Sequence, residues 1–571
     1  MSPADAALRA VEAALQGAGA PFELATEDVL GQPLRVFKNR ARSLRELLAR
    51  SAAFGEKEYV VYEDRRLRFD QHLAAVGSVA AALRDRYAVQ PGDRVAIVAA
   101  NCPEWLIAFW AATSLGAVAV GLNGWWAGDE IRYGIADSDP KVVIGDRKRL
   151  ARLDGADPGV PVVEIERDFA ALLAHAPGAP LPATPIAEDD PACILYTSGT
   201  TGRPKGAVAS HRGILALVTL NLFNGTRNAM AAARVAQQAA ERGEAPAAAP
   251  APPRPPCALV TTPFFHVSGL YTGGIMMLAV GAKLVLRAGR FDPVDAMRII
   301  EREQVTSWGP MGTMAYRVVH HPERERFDLS SIVQIGSGGA PMHPDLQAKM
   351  RECFPSARRS VGLGYGLTES GALATICSGE ELLAHPTSVG RPLPTVELEI
   401  RGADGGALPE GVEGEIHLRS PLVMLEYWRK PEATKEALLS GRWLRTADVG
   451  KVVDGRLYVN ARARDLILRG AENIYPIEIE QRLEAHPDVE EAAVVGVDHE
   501  ELGQEVKAIV VPRPDRAPDP AALAAWVGRA LAAFKVPAHF EIRREPLPRN
   551  ATGKVLKNVL LGESANPFRE E

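Results

Sequence analysis

A run of hydroxyl side chains, glycines and one lysine is the feature of this sequence whose residue types could best do chemistry. Residues 197–206 carry four Ser or Thr hydroxyls, three glycines and Lys205. Glycine lets a backbone approach an anion closely, and the N–H groups and hydroxyls of such a loop can solvate phosphate. The run predicts a phosphate-binding loop. A flexible turn is the alternative that the residues alone leave open.

The spacing within this loop excludes one common kind of nucleotide site. A Walker A loop needs Gly-x-x-x-x-Gly-Lys followed by Ser or Thr. Here Pro204 precedes Lys205, and Gly206 follows it. The loop comes directly after an apolar run that predicts a buried strand, and ligands of α/β folds collect beyond the carboxyl ends of strands. The position therefore favours a ligand as well.

The elements that would position this loop alternate between strands and helices. Apolar runs at residues 94–101, 258–266 and 331–339 are separated by helix-length segments. Such alternation predicts an α/β fold with doubly wound mixed sheets that are largely parallel and covered by helices on both faces. After about residue 396 short strands and an Asp454-Gly455 turn signal predict a small antiparallel, barrel-like unit. The tail from about residue 464 has the size and alternation of a separate α+β domain.

Composition limits the classes of protein. The 65 Lys and Arg residues against 71 Asp and Glu residues give a net charge of -6, which predicts no nucleic-acid partner. Five unpaired cysteines predict a reducing compartment, taken as the cytoplasm. The apolar run at 105–122 is split by Gly116, and we interpret it as a helix followed by a buried strand rather than as an integral membrane segment. Residues 230–256 are Ala-rich, then Pro-rich, which predicts a flexible loop whose first half is compatible with a surface helix.

Five segments, in order, resemble the motifs of the adenylate-forming (ANL) superfamily. That superfamily includes acyl-CoA synthetases, adenylation domains of peptide synthetases and firefly-type luciferases. The segments are Tyr-Thr-Ser-Gly-Thr-Thr-Gly-x-Pro-Lys-Gly at 196–206, Gly-Tyr-Gly-Leu-Thr-Glu at 364–369, and residues 445–448, 462–480 and 548–554. The resemblance spans about residues 45 to 560 and is greatest to the fatty-acid–CoA ligase branch.

The resemblance implies a large N-terminal adenylate-forming domain at 1–462 and a small mobile C-terminal domain at 463–571. It implies ATP, Mg²⁺ and CoA as cofactors and co-substrates. The reaction would be activation of a carboxylic acid to an acyl-adenylate, followed by transfer to CoA with release of AMP. A homodimer is left open beside the monomer.

The resemblance also implies a role for each motif residue. Catalytic roles fall on Lys554, Lys205, Thr200, Glu369 and His266, with Glu369 and Thr200 as Mg²⁺ ligands. Nucleotide binding falls on Thr197, Ser198, Gly199, Thr201, Gly202, Gly339, Ala340, Pro341, Gly364, Tyr365, Gly366, Thr368, Asp448 and Arg462. The acyl group and CoA would meet Gly338, Gly470 and Ala471, and Arg464 would be the hinge.

The chain departs from the superfamily pattern where Ala447, Ala461 and Ala471 replace glycines. A non-glycine residue is strained wherever the backbone needs a positive φ. By the resemblance, Ala471 aligns with the glycine beside the pantetheine tunnel, where a methyl group either fits or narrows the path for CoA. The adenylation half of the reaction is therefore better supported than the CoA half.

The substrate class rests on the apolar character of the gate and pocket segments, whose residues are Phe264, Phe265, Trp308, Met311, Met314 and Ala340. These favour a hydrophobic acid, either a fatty acid or a bulky alicyclic or aromatic acid. Three alternatives stay open at this point. They are an adenylating enzyme that passes the acyl group to a carrier protein or separate partner, a luciferase-like oxidase, and a non-catalytic nucleotide-binding regulator.

Overall fold

The computed structural model describes residues 3–197, 203–242, 254–310, 312–338, 342, 344–462, 465–469, 472–499, 502–550 and 553–563. Within them, two large mixed sheets carry most of the chain. The first sheet has seven strands, and its inner strands are parallel and buried on both faces, which is why they are uniformly apolar. In spatial order they are Glu426–Tyr427, Lys205–Ser210, Pro191–Thr197, Val118–Gly121, Arg94–Val98, Val142–Gly145 and Val162–Glu164.

The second large sheet has nine strands and is parallel through its centre. Its edges are antiparallel, so it is mixed as well. In spatial order its strands are Arg391–Pro392, Thr375–Ser378, Val361–Tyr365, Gln334–Gly338, Ser307–Trp308, Cys257–Val260, Lys283–Leu286, Glu58–Tyr62 and Arg65–Arg68.

A smaller sheet of five antiparallel strands follows, together with a two-stranded hairpin of Leu24–Val29 and Gln32–Phe37 near the start of the chain. Asp454 and Gly455 both have positive φ, of 51° and 71°, so the predicted hairpin turn is confirmed. The five strands are Glu397–Arg401, Gly414–Arg419, Trp443–Val453, Leu438–Leu439 and Arg456–Arg462.

The C-terminal part has its own sheet and hydrophobic cores, as the predicted α+β unit requires. The sheet is antiparallel except where His539–Ile542 pairs in parallel with Gly503–Pro512. The other strands are Glu472–Ile474, Ile467–Arg469 and Val489–His499, and the helices are Pro476–Glu484, Pro520–Gly528 and Lys557–Leu560. The α/β class with an antiparallel unit and a C-terminal α+β unit is thus confirmed.

Helices cover the faces of the two large sheets, and several begin at proline, whose missing N–H costs nothing in a first helical turn. They are Pro3–Gln16, Leu44–Arg50, Phe69–Tyr87, Pro103–Ser114, Gly128–Ser138, Arg147–Leu150, Ile165–Leu173, His211–Glu241, Met276–Ala279, Pro293–Glu303, Gly312–Val319, Pro344–Cys353, Gly379–Ala384 and Pro431–Ala437. A π-helical segment spans Ser268–Ile275. Short 3₁₀ turns span Ser51–Phe54, Ala151–Leu153, Arg324–Arg326, Pro355–Ala357, Ser440–Arg442 and Ala533–Lys535.

Two sequence interpretations can be compared directly with these elements. The apolar run at 105–122 forms the buried helix Pro103–Ser114 and the buried strand Val118–Gly121, as interpreted. Across the described residues, no helix is both long and apolar enough to span a bilayer. In the segment 230–256 the first half is helical, as the sequence allowed, because the helix His211–Glu241 continues through residues 230–241, so a loop beginning at 230 is wrong. Alanine has the strongest helix propensity, and this half is Ala-rich. Residues 243–253 lie outside the described part.

Candidate functional site

The predicted phosphate loop connects two strands of the first sheet. Pro191–Thr197 and Lys205–Ser210 are antiparallel neighbours, and Thr197 lies opposite Lys205. The Thr197 hydroxyl donates to the Lys205 carbonyl oxygen at 3.4 Å. The ends of the loop are therefore held together. Its central residues Ser198, Gly199, Thr200, Thr201 and Gly202 lie outside the described residues.

A buried carboxylate, Asp137, fixes this hairpin to residues 426–430. The Tyr196 hydroxyl donates to Asp137 Oδ2 at 2.8 Å, and Lys430 Nζ lies 2.7 Å from Asp137 Oδ1. The Trp428 indole N–H donates to the Asp137 carbonyl oxygen at 3.0 Å. Burial, followed by the Asp137 charge, raises the pKa of the Tyr196 hydroxyl, which keeps it a donor. The hairpin and residues 426–430 are thus joined as one unit.

Tyr427 connects two residues that the sequence assigned to polyphosphate chemistry. Its strand pairs with the hairpin, with Tyr427 opposite Ala207. Its hydroxyl donates to Glu369 Oε1 at 2.7 Å, and its ring centroid lies 5.2 Å from Lys205 Nζ. Sequence reasoning missed Tyr427, and only the adjacent aromatic pair Tyr427-Trp428 could have drawn attention to this segment.

Tyr365 and Asp448 come from different sheets and meet in the interior. The Tyr365 hydroxyl donates to Asp448 Oδ2 at 2.8 Å, and the two residues are 8% and 4% exposed. The Asp448 backbone N–H is held by the Thr446 hydroxyl at 3.1 Å. Arg462 lies opposite Asp448 in the strand ladder. The predicted adenine platform and the predicted ribose ligand are therefore neighbours, with the orientation of the ring fixed by a hydrogen bond.

The alanine that precedes Asp448 stands in a backbone conformation that favours glycine. Ala447 has a φ of 57°, in the left-handed region that costs an L-residue roughly 1–2 kcal/mol. Ala461 lies within the strand Arg456–Arg462 and has no positive φ. Of the three departures, Ala447 is therefore the strained one among the described residues, and Ala471 lies outside them.

Glycines lie at the carboxyl ends of two central strands of the second sheet. Gly338 and Gly364 are register partners on parallel strands. A Cβ on Gly364 would lie 2.5 Å from Leu373 Cδ1, and one on Gly366 would lie 2.3 Å from the Ala372 carbonyl oxygen. The backbone contact at Gly366 leaves no room for a side chain there, whereas at Gly364 the end of the Leu373 side chain would have to move. Gly339, Ala340 and Pro341 lie outside the described residues.

A cleft of about 3030 Å³ lies between the large sheets and the C-terminal part. Tyr365 and Asp448 are buried and are not among its described lining residues, but their sequence neighbours Gly364, Gly366, Thr446 and Ala447 are. The predicted site residues that do line it are Thr197, Lys205, His266, Gly338, Gly364, Gly366, Thr368, Glu369 and Lys554. Predicted site residues that are far apart in the sequence, from Thr197 to Lys554, thus face the same cleft.

Lys554 reaches the cleft from a tight loop near the C-terminus. The Lys554 backbone N–H donates to Asn550 Oδ1 at 2.9 Å, and Arg549 Nη1 donates to the Gly553 carbonyl oxygen at 2.7 Å. Gly553 has a φ of 76°, a conformation that glycine adopts without strain. The loop therefore presents Lys554 from a defined backbone geometry.

His266 lies in the cleft wall with a neutral ring. Burial lowers its pKa to about 4, so the ring is uncharged near neutral pH. Its Nε2 is buried and has no hydrogen-bond partner within the described chain. Its ring centroid lies 4.9 Å from that of Phe265. Phe264, in contrast, belongs to the core, where it packs against Trp105 at 5.4 Å.

The metal prediction rests on one described carboxylate. No group of three or more His, Cys, Asp or Glu side chains suited to a metal ion occurs among the described residues. Glu369 lines the same cleft as Lys205 and Tyr427 and accepts the Tyr427 hydroxyl hydrogen bond. Mg²⁺ binds through one or two carboxylates together with substrate phosphates and water, so this single carboxylate fits it. Of the remaining predicted residues, Arg464 and Gly470 also lie outside the described part.

Comparison with known proteins gives matches over most of the chain. The family model described as AMP-binding enzyme matches residues 47–428, and that described as AMP-binding enzyme C-terminal domain matches residues 478–554. A long-chain-fatty-acid–CoA ligase of Mycobacterium tuberculosis is 33% identical over 478 residues, covering 83% of this chain and 88% of the relative. A feruloyl-CoA synthase of Amycolatopsis sp is 33% identical over 470 residues, covering 82% and 88%. The crystal structure of ATP-bound MatB from Rhodopseudomonas palustris superposes with a TM-score of 0.78 at 28% identity, covering 92% of this chain and 100% of that one.

Proposed function

Because the chain belongs to the AMP-binding enzyme family, in its acyl-CoA synthetase branch, we propose that it activates a hydrophobic carboxylic acid with ATP and transfers the acyl group to CoA. Enzymes of this family use ATP and CoA. The observation that carries the proposal is the shared cleft, in which Lys205 and Glu369 from the large sheets face the same space as Lys554. Two cations and a carboxylate around one cavity suit a reaction between two anions.

In the first step a carboxylate oxygen attacks the α-phosphorus of ATP. A carbon–oxygen–phosphorus anhydride forms, and the bond to the β,γ-pyrophosphate breaks. Lys205, beside the loop, would neutralise the polyphosphate, and Lys554 would approach the α-phosphate and the attacking carboxylate. Preorganised charge of this kind acts on the charge that develops in the transition state. Glu369, held by Tyr427, would hold Mg²⁺, which supplies further neutralisation when bound.

In the second step the CoA thiol, after loss of its proton, attacks the acyl carbon of the adenylate. A thioester forms and AMP leaves with the electron pair of the broken carbon–oxygen bond. We propose that the C-terminal part turns about Arg464 between the two steps, so that Gly470 and Ala471 face the cleft in place of Lys554. Asp448, Arg462 and Tyr365 would keep the nucleotide in position throughout, together with the lining residues Gly364, Gly366, Thr446 and Ala447 that adjoin Tyr365 and Asp448 in sequence.

The acyl class is supported by the apolar residues along the cleft. Met276, Met277, Val280 and Leu222 line it, as His266 does. The relatives named above act, by their names, on a long-chain fatty acid and on ferulic acid. A hydrophobic alkyl, alicyclic or aromatic acid is therefore the proposed substrate. The five free thiols support the proposal of a reducing, cytoplasmic location.

A panel of alkyl, alicyclic and aromatic acids, assayed for pyrophosphate release with and without CoA, tests the proposal. We expect acid-dependent release together with an acyl-CoA product. Release without any thioester would select the enzyme that passes its acyl group to another partner. ATP binding without acid-dependent release would select the non-catalytic regulator, and either result would contradict the proposal.

A further inference from the structure

The long helix His211–Glu241 has two different faces. One face carries Phe223 and Ala231, which pack in one core with Ala7, Val11 and Leu15 of the first helix. Another part of its surface lines the cleft. Its lining residues include Asn221, Asn224, Gly225 and Asn228, at the i, i+3, i+4 and i+7 spacing of a single helix face.

A second helical wall contacts this one. The π-helical segment Ser268–Ile275 and the helix Met276–Ala279 both contact the long helix. Their lining residues include Thr272, Met276 and Met277. A Cβ on Gly225 would meet no atom within 4 Å, so the space beside Gly225 is open. The two walls form an acyl corridor, with methionines on one side and carboxamides on the other.

The orientation of two of these carboxamides is fixed by Arg227. Arg227 Nη2 donates to Asn224 Oδ1 at 2.7 Å and to Asn228 Oδ1 at 3.3 Å. A guanidinium has donors and no acceptor, so each amide must turn its oxygen toward Arg227 and its NH₂ group away. Arg227 is itself held, with Nη1 3.5 Å from Glu12 Oε2 and its guanidinium 5.7 Å from the centroid of the Phe223 ring.

The two amide nitrogens therefore remain as donors in the corridor. In the described part of the chain, neither Asn224 Nδ2 nor Asn228 Nδ2 has a hydrogen-bond acceptor in the protein. Asn221 differs, because its Nδ2 donates to the Leu217 carbonyl oxygen at 3.0 Å. A plain alkyl chain in the corridor would displace water from both donors and offer no acceptor, which is costly for buried polar groups.

We propose that Asn224 and Asn228 form a donor subsite that binds a carbonyl or hydroxyl oxygen on the acyl group, remote from its carboxylate. The preferred acids are then hydrophobic acids with an oxygen in their distal half, rather than plain hydrocarbon acids. This inference rests on the proposed function and names the substrate class within it. A site built to hydrogen-bond a substrate oxygen discriminates strongly against the analogue that lacks it.

The test compares matched acids. The best alkyl and aryl acids of the panel are each paired with oxo or hydroxy derivatives, with the oxygen moved along the distal half. We expect kcat/KM of the wild type to favour at least one oxygenated acid by roughly 5- to 50-fold. In the double variant Asn224→Leu/Asn228→Leu that ratio falls to about 1. The variant Gln237→Leu, at an exposed position of the same helix, is the control and keeps the wild-type ratio.

The possible outcomes distinguish a failure of the proposed subsite from a failure of the proposed function. If plain acids are activated but no oxygenated derivative is preferred, the subsite is wrong and the proposed function stands. An equal ratio in the wild type and the double variant overturns the subsite as well. If no acid supports pyrophosphate release, the proposed function itself fails.

Discussion

At the scale of single residues, the site combines groups that the sequence names with groups that only packing reveals. Lys205, Glu369 and Lys554 lie in ordered motifs, and all three line the cleft. Tyr427 lies in no such motif. Its importance comes from a 2.7 Å hydrogen bond to a residue 58 positions away. Long-range partners of this kind are absent from local residue patterns, so this part of the site could not be predicted.

The variant Lys554→Ala should lower acid-dependent ATP–pyrophosphate exchange by roughly 10²–10³-fold, because a preorganised charge is lost from the transition state. The measurement is exchange at saturating ATP and acid, with circular dichroism to check folding. Lys507→Ala is the matched control, since Lys507 pairs with Glu541 at 2.7 Å in the same C-terminal sheet and does not line the cleft. Near-wild-type exchange in Lys554→Ala would refute the assignment.

The variant Tyr427→Phe should raise the concentration of Mg²⁺-ATP needed for half-maximal exchange by roughly 10-fold, because Glu369 loses a hydrogen bond to its charged carboxylate. Tyr427→Leu should have a larger effect, since it also removes the ring beside Lys205. Tyr458→Phe, which removes a hydroxyl 3.4 Å from His385 in the small antiparallel sheet, is the control. Equal values for Tyr427→Phe and the wild type would contradict this role.

At the scale of elements, apolar periodicity and turn residues predicted more of the strands and turns than composition did. The buried strands and the hairpin at Asp454 and Gly455 follow from apolar runs and turn chemistry. The boundary at residue 230 could not be placed, because alanine suits both a helix and a low-complexity linker. The continuation to Glu241 depends on helix packing, with Ala231 buried against the first helix.

The helix Phe69–Tyr87 carries a buried histidine, His72, whose protonation affects stability. His72 is fully buried, and neither ring nitrogen has a hydrogen-bond partner among the described residues. Burial lowers its pKa from 6.5 to about 3, so the unfolded chain binds this proton more readily than the folded one. Stability that is present above about pH 6.5 is therefore lost as the pH falls toward 3, by about 3 kcal/mol near pH 4.

Replacing His72 by Leu should remove that contribution. We expect the urea midpoint of His72→Leu to fall less than that of the wild type between pH 6.5 and 4, because leucine takes up no proton. Buried His211, whose pKa burial also lowers to about 4, leaves a residual slope in both proteins. Parallel midpoint curves for the two proteins would show that His72 does not titrate in this way.

At the scale of the whole molecule, the site exists only where the large sheets and the C-terminal part face each other. The ordered motifs predicted that the two parts would meet around one nucleotide, and Lys554 and Glu369 do line one cleft. The sequence could not predict the contacts of this arrangement. Burial raises the pKa of Tyr316, and the charges of Arg513, Glu490, Glu491 and Glu484 act on it across the interface.

The ionisation of Glu484 makes the stability of the protein sensitive to alkaline pH. Burial, and then the charge of Glu480, raises its pKa from 4.5 to about 8. The folded form therefore holds a proton that the unfolded form releases, and stability falls as the pH rises from about 4.5 through 8. In Glu484→Gln the thermal midpoint should fall less between pH 6.5 and 9 than in the wild type. An unchanged slope would mean that Glu484 is ionised throughout.

The first helix of the chain has a practical consequence. Ala7, Val11 and Leu15 share a core with Phe223 and Ala231 of the helix that also carries Asn224 and Asn228. Proteolytic removal of the first twenty or so residues would leave the nucleotide site intact but would remove the packing that supports the helix beside the acyl group. The shortened enzyme would still consume ATP, but its order of preference among carboxylic acids would differ from that of the full chain.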